Sequence, residues 1–160
     1  MYQRVSVPQL MIPPKVRTIL DQNGLRALEF EAGSTPTSEK AAEMIGVEIG
    51  QIAKSVLFKG KNDQYFLIVC AGDARVSNKK LKATLGVKAR MATREEAEAV
   101  TGFEPGGVCP FGLTGINIFI DNGLARYNTI FPAAGTDCSG VPMTFESLCE
   151  VSGAKPRDLC

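Results

Sequence analysis

Residues Tyr65–Ala71 read Tyr-Phe-Leu-Ile-Val-Cys-Ala, a nearly continuous apolar run. A strand with one wet face alternates polar and apolar residues, so a run without alternation requires a sheet covered on both faces. The rest of the chain supplies the cover. Lys15–Asn23 carries Val16, Ile19 and Leu20 at helical spacing and ends at Asn23-Gly24. Leu25–Phe30 predicts a short strand, and Ser38 predicts the cap of a helix with Ala41, Ala42 and Ile45 on one face, closed by Gly46. Gln51–Phe58 predicts a strand joined to Tyr65–Ala71 through a turn at Gly60–Asp63. Asn78–Leu85 and Thr93–Thr101 predict helices, the second with Thr93 and Glu96 as a capping box. Strands are predicted over Ile116–Ile120, Tyr127–Phe131 and Val141–Phe145, with a turn at Asn122-Gly123 and a closing helix over Glu146–Ser152. The pattern is that of one α/β (α+β) domain over residues 1–160, built on a mixed sheet, with residues 1–33 adding a helix and a strand at its start.

Between the last two groups lies Gly102–Gly112, with four glycines and two prolines in eleven residues. Proline fixes φ and gives up its N–H, whereas glycine admits φ > 0 and close approach of a ligand or another backbone. Such a segment either joins a helix to a strand or presents its N–H groups to an anion or carbonyl oxygen. The chain holds no histidine. Ser-His-Asp and Cys-His nucleophile systems are thereby excluded, and with them the usual general base near neutral pH. Any catalysis must use main-chain donors, lysine, carboxylate or a group on the substrate. The net charge of +1 offers no global basic field, so contact with nucleic acid must be local. Five cysteines without a C-x-x-C pair argue for free thiols in a reducing compartment and against a metal site. Met1–Pro14 lacks the pattern of a signal peptide and no apolar run reaches the length of a membrane span, so a cytoplasmic location is expected.

From about Ser38 onward the chain resembles the YbaK/prolyl-tRNA synthetase-associated aminoacyl-tRNA editing domain family. The landmarks occur in order: Ala41–Val47, Ile52–Phe58 with its lysine, Val69–Val76, Lys79-Lys80-Leu81, Thr101–Gly112, Asp121, and Ala133-Ala134-Gly135. Many relatives carry Ser-Ala-Gly at that last position. The resemblance implies a barrel-like mixed sheet with surrounding helices. It implies trans-acting hydrolysis of the ester of a mischarged tRNA bearing a small residue such as Cys, Ala, Ser, Thr or 2-aminobutyrate, on a proline tRNA or a similar one. The partners implied are the 3′ end of tRNA and a synthetase, with no cofactor, metal or membrane. A non-catalytic tRNA-binding module assisting a synthetase and a small-molecule-binding protein are the alternatives.

An aminoacyl ester is already electrophilic, so a histidine-free site suits it. Lys54 either points to water or turns inward for a reason; by resemblance it meets the terminal nucleotide's phosphate or the ester carbonyl. Gly106, Gly107 and Val108 are expected to supply backbone N–H groups, with Pro110 and Gly112 holding the shape, and Gly107→Val to block activity without harming the fold. Cys109 is expected as a small wall residue, not a nucleophile. Ala134, Gly135 and Thr136 form the loop opposite, and Phe30 either lines the amino-acid pocket or packs in the core. Asp121 reads as a turn carboxylate capping backbone donors. Arg75, Lys79, Lys80 and Lys82 cluster around a helix start, as a solvated face or as contacts for acceptor-stem phosphates.

Overall fold

The computed structural model describes residues 12–160; the reading of Met1–Pro14 falls almost wholly outside them. Five strands form a mixed sheet in the order β4-β2-β3-β5-β7, with β2 at Ala53–Gly60, β3 at Tyr65–Ala71, β4 at Ala89–Met91, β5 at Asn117–Asp121 and β7 at Lys155–Arg157. The apolar run is the central strand. β3 pairs antiparallel with β2 over seven residues, from Ala53 opposite Ala71 to Lys59 opposite Tyr65, and parallel with β5 on its other side. Its side chains divide between two cores, as the absence of alternation requires. Leu67, Val69 and Ala71 face the main core; Phe66 and Ile68 face a second core with Phe58, Leu81 and Phe119.

Helices cover both faces. The main core receives Val16 and Leu20 of α1 (Pro14–Gln22) and Leu148 of α5 (Phe145–Ser152). The second receives Leu81 of α3 (Asn78–Leu85). A third, smaller cluster joins Ala41 and Ala42 of α2 (Ser38–Ile45) to Ile52 and Phe131. α4 (Arg94–Thr101) has the expected reciprocal capping box of Thr93 and Glu96. α2 begins one residue earlier than expected: the hydroxyl of Thr37, not Ser38, accepts from the N–H of Lys40.

Among the described residues the sheet ends at β4 and β7, so it is open and does not close into a barrel. Beyond the start of β2, pairing continues only as single bridges, Ile52 to Phe131 and Ile130 to Met143. The strand expected over Tyr127–Phe131 is reduced to these two bridging residues, preceded by a 3-10 helix over Asn122–Arg126. In place of a strand over Val141–Phe145, Ser139–Gly140 forms β6, paired with β1 at Leu28–Glu29. Asp121 behaves as expected of a turn carboxylate: Oδ2 accepts from Gly123 N–H, and Oδ1 accepts from the N–H groups of Leu159 and Cys160 at 2.8 and 3.2 Å. It ties the C-terminal segment to the end of β5. No described helix is long and apolar enough to cross a membrane.

Candidate functional site

The start of β2, the lead-in to α2 and the glycine-rich segment enclose a cleft of about 260 Å³. Alternation along β2 sends Ser55 to the main-core face with Ala53 and Leu57, and Lys54 to the other face with Val56 and Phe58. Lys54, half-buried, lines the cleft mouth and is fixed by the β3–α3 connection: its Nζ donates to the carbonyls of Ala74 at 2.8 Å and Gly72 at 3.4 Å. An ammonium has three donors, so one N–H is left for a ligand. Among the described residues, Lys54 is the sole ionisable side chain lining the cleft.

Two hydroxyls of residues lining the same cleft lack partners among the described residues. Thr35 Oγ1 and Ser55 Oγ are buried and make no hydrogen bond there. A buried hydroxyl without a partner costs about 1–3 kcal/mol, so such groups persist where something else satisfies them. Thr35 is held there by its own backbone, whose N–H donates to the Asp137 carbonyl at 2.7 Å. Ser139 also lines the cleft, but its hydroxyl is committed: it accepts from Ala134 N–H at 3.0 Å and from the Thr136 hydroxyl at 2.8 Å. Thr37, whose hydroxyl caps α2, and Ser38 also line the cleft, and Ala41, Ile45, Ile52, Phe131 and Ala133 supply apolar wall.

The glycine-rich segment reaches the cleft through Gly106 and Val108. Their N–H groups have no partner among the described residues, whereas the Gly107 N–H donates to the Glu104 carbonyl at 2.9 Å. Gly107 is therefore not an available donor in this conformation. It serves contact: a Cβ there would lie 2.8 Å from the N and Cα of Thr136. Gly106, at φ +83°, abuts Pro36 and Asp137 in the same way. Backbone packs on backbone at this seam, which fixes Gly106 and Val108 against the Thr35–Ser38 lead-in. Gly107→Val therefore strikes the fold of the seam, contrary to the expectation that it leaves the fold intact.

Several expected site residues lie elsewhere. Cys109 is fully buried in the main core, and burial pushes its thiol up to about 12, so it is neither a wall residue nor a nucleophile. Pro110 is buried behind the segment, and Gly112 packs on the side chain of Lys15. Lys15 itself clamps the segment, with Nζ donating to the Thr101 carbonyl at 2.9 Å and lying 4.5 Å from the Phe103 ring centre. Ala134, Gly135 and Thr136 build the loop behind the cleft, while Ala133, Ser139 and Gly140 face it. Phe30 lines a separate shallow depression with Ser34 and Met44. Lys80 is occupied at the C-terminus, bonded to Asp158 at 3.0 Å and the Cys160 carbonyl at 2.8 Å. Arg75 and Lys79 remain exposed beside the site. Sequence reasoning missed Thr35, Ser55 and Ser139. Ser55 carried a signal, as a small polar residue on the core face of an otherwise apolar strand.

Residues 32–150 match the model of the aminoacyl-tRNA editing domain family. An uncharacterized protein of Bacillus subtilis (strain 168), YwhH, is 48% identical over 128 residues, covering 79% of this chain and 81% of that protein. The proline–tRNA ligase of Thermosipho melanesiensis is 35% identical over 111 residues, which are 67% of this chain but 19% of the ligase. Among solved structures, a proposed trans-editing enzyme for prolyl tRNA synthetase superposes with a TM-score of 0.82 at 33% identity, covering 93% of this chain and 98% of that one. The cleft described above lies within the matched residues, and the match spans most of the chain, so this protein belongs to the aminoacyl-tRNA editing domain family.

Proposed function

We propose that this chain is a trans-acting deacylase that hydrolyses the ester between a small amino acid and the 3′ end of a mischarged proline tRNA. The cleft carries the reading. It is small and, among the described residues, uncharged apart from Lys54, with two buried hydroxyls that lack partners. A volume of about 260 Å³ falls below the roughly 300–1,000 Å³ of sites for larger ligands, which favours a short side chain. The ligase and trans-editing relatives support a proline tRNA as carrier.

In this reading the aminoacyl group enters between the Thr35–Ser38 lead-in and the start of β2. The carbonyl oxygen takes hydrogen bonds from the main-chain N–H groups of Gly106 and Val108, and the free N–H of Lys54 meets the carbonyl or the adjoining phosphate. A water oxygen bonds to the carbonyl carbon and its proton is released. The carbon–oxygen bond to the ribose then breaks and the ribose oxygen takes up a proton, giving free amino acid and a tRNA with its terminal hydroxyl restored. The protein's work is to hold the ester and stabilise the oxyanion, which needs no histidine. Thr35 and Ser55 hydrogen-bond the polar atoms of the aminoacyl group.

The test is deacylation of proline tRNA charged with alanine, serine, cysteine, threonine or 2-aminobutyrate, by the wild type and by Lys54→Ala. Loss of one preorganised donor should lower kcat/KM by about 10²–10³. Equal rates would remove Lys54 from the mechanism. No turnover of any ester by the wild type would overturn the deacylase reading in favour of a binding module.

A further inference from the structure

Six cations line one depression of about 760 Å³ at the β4 edge of the sheet: Lys59, Lys61, Lys79, Lys82, Lys88 and Arg90. They come from three separate segments. Lys59 and Lys61 sit at the end of β2, Lys79 and Lys82 share one face of α3 at i,i+3 spacing, and Lys88 and Arg90 flank the start of β4. The fold joins these segments through the Lys59–Arg90 register pair and the Lys61 N–H bond to the Lys88 carbonyl at 2.9 Å. The lining includes one carboxylate, Asp63. Lys59 is neutralised by Asp63 and Glu96, and Arg90 forks onto Glu96 with both bonds at 2.9 Å. Lys61, Lys79, Lys82 and Lys88 have no ion-pair partner among the described residues. In a chain of 18 basic and 17 acidic residues, this is a segregated positive field, not an average surface.

The depression also leads somewhere. It shares Asn78, Ala89 and Arg90 with a neighbouring hollow, which contains Arg75 and ends at Lys54. Lys54 in turn lines the small cleft. Adjacent hollows that share lining residues therefore form a path from the candidate ester site, past Lys54 and Arg75, to the four lysines without an ion-pair partner. We propose that this path is the track on which the phosphate backbone of the tRNA acceptor stem lies, an inference that rests on the deacylase reading for its direction. The lysines bind phosphates as point charges and carry no sequence information, so the track positions the RNA and leaves selection to the cleft.

The experiment is binding of uncharged proline tRNA, followed by fluorescence anisotropy between about 50 and 200 mM salt. Affinity of the wild type should fall steeply with salt. The Lys61→Glu/Lys82→Glu/Lys88→Glu protein should bind at least about tenfold more weakly, with a shallower log–log salt slope, each lost phosphate contact removing about 0.7–0.9. The Lys61→Gln/Lys82→Gln/Lys88→Gln protein, which adds no repulsion, should shift the same way by a smaller factor. Melting curves report that each variant is folded, all three lysines being exposed. A net-charge control, Arg17→Glu/Arg26→Glu/Lys155→Glu, should stay within about threefold of wild type, since it leaves the track intact. Unchanged binding by the lysine variants, or an equal loss in the control, would overturn the track. Uncharged tRNA carries no ester, so the two readings fail separately. A wild type that binds through these lysines but hydrolyses nothing sinks the deacylase reading alone; one that hydrolyses but binds regardless of them sinks the track alone.

Discussion

The two regions that meet at Lys54 are opposites. The cleft on the Ser55 side is small, mixes apolar side chains with hydroxyls and main-chain atoms, and among the described residues has Lys54 as its one charge. The main depression of the track, on the α3–β4 side, is open and about three times larger by volume, and its charged groups are six ammonium and guanidinium ions against one carboxylate. Desolvated neutral donors discriminate by shape and by hydrogen-bond matching, because an unmatched partner is left unsatisfied. Exposed lysines attract any phosphate and are weakened by salt. On the proposed reading, selectivity lies on the cleft side and affinity on the track side. Lys54, fixed by the Gly72 and Ala74 carbonyls, is where the two are joined.

The strongest way to break this division is Gly107→Val. The added side chain meets the Thr136 backbone at 2.8 Å, and backbone cannot yield as a flexible side chain can. Overpacking costs about 1–3 kcal/mol where neighbours can shift. A domain with a stability of about 5–15 kcal/mol survives that, while the seam holding Gly106 and Val108 against the lead-in opens. Deacylation should fall by more than about 100-fold and the melting temperature should drop. The track lies on another part of the sheet, so anisotropy with uncharged tRNA should stay within about threefold of wild type. Parallel loss of RNA binding and turnover would show that cleft and track are one unit.

Thr35→Val sharpens the comparison with a smaller change. It keeps the shape of the side chain and removes a hydroxyl that has no partner among the described residues. The usual sign for losing a hydrogen-bonding group is destabilisation; here the melting temperature should hold or rise, because a buried orphan is removed. The kcat/KM for deacylation should nevertheless fall by about tenfold, the worth of one neutral hydrogen bond of about 1.4 kcal/mol. Unchanged turnover would mean that the hydroxyl makes no bond to the substrate.

What the sequence revealed depended on whether the information was local. The apolar run of β3, the capping box of α4 and Lys54 within β2 are properties of a few adjacent residues, and each appears where expected. β4 and β7 were not visible because they are three residues long and exist only by pairing with β2 and β5; β7 even contains Pro156. Thr35 enters the site through a backbone bond to Asp137, about a hundred residues away, which no local pattern encodes. In the glycine-rich segment Gly106 and Val108 line the cleft, as the sequence reading has them, while Gly107, Cys109 and Pro110 turn away from it. The segment's direction is set by contacts of Gly106 with Pro36 and of Gly107 with Thr136, so Cys109 turned out to be core. Of the six cations of the track, sequence shows only the two on α3, with Arg75 beside them, because the other four lie at the end of β2 and the start of β4 and are brought together by strand pairing.

Cys109→Ser should have the smallest effect and tests the boundary of the cleft. Cys109 belongs to the same segment as Gly106 and Val108, yet it is fully buried among apolar side chains, and its one hydrogen bond among the described residues runs from Sγ to the Phe111 carbonyl at 4.0 Å. Burial raises its thiol from an ordinary 9.0 to about 12, so at neutral pH no thiolate is available for attack. The serine variant should deacylate within about twofold of wild type, while losing about 1–2 kcal/mol of stability from a more polar buried group. The raised value also fixes a sign. Above pH 9 the unfolded chain releases this proton and the folded chain keeps it, so the thiol lowers wild-type stability progressively from about pH 9 towards 12. Serine does not titrate in that range. The melting-temperature advantage of wild type over Cys109→Ser should therefore narrow as pH is raised through 9 and above. An advantage that stayed constant would mean that the thiol ionises normally, and hence that position 109 is open to solvent on the cleft side.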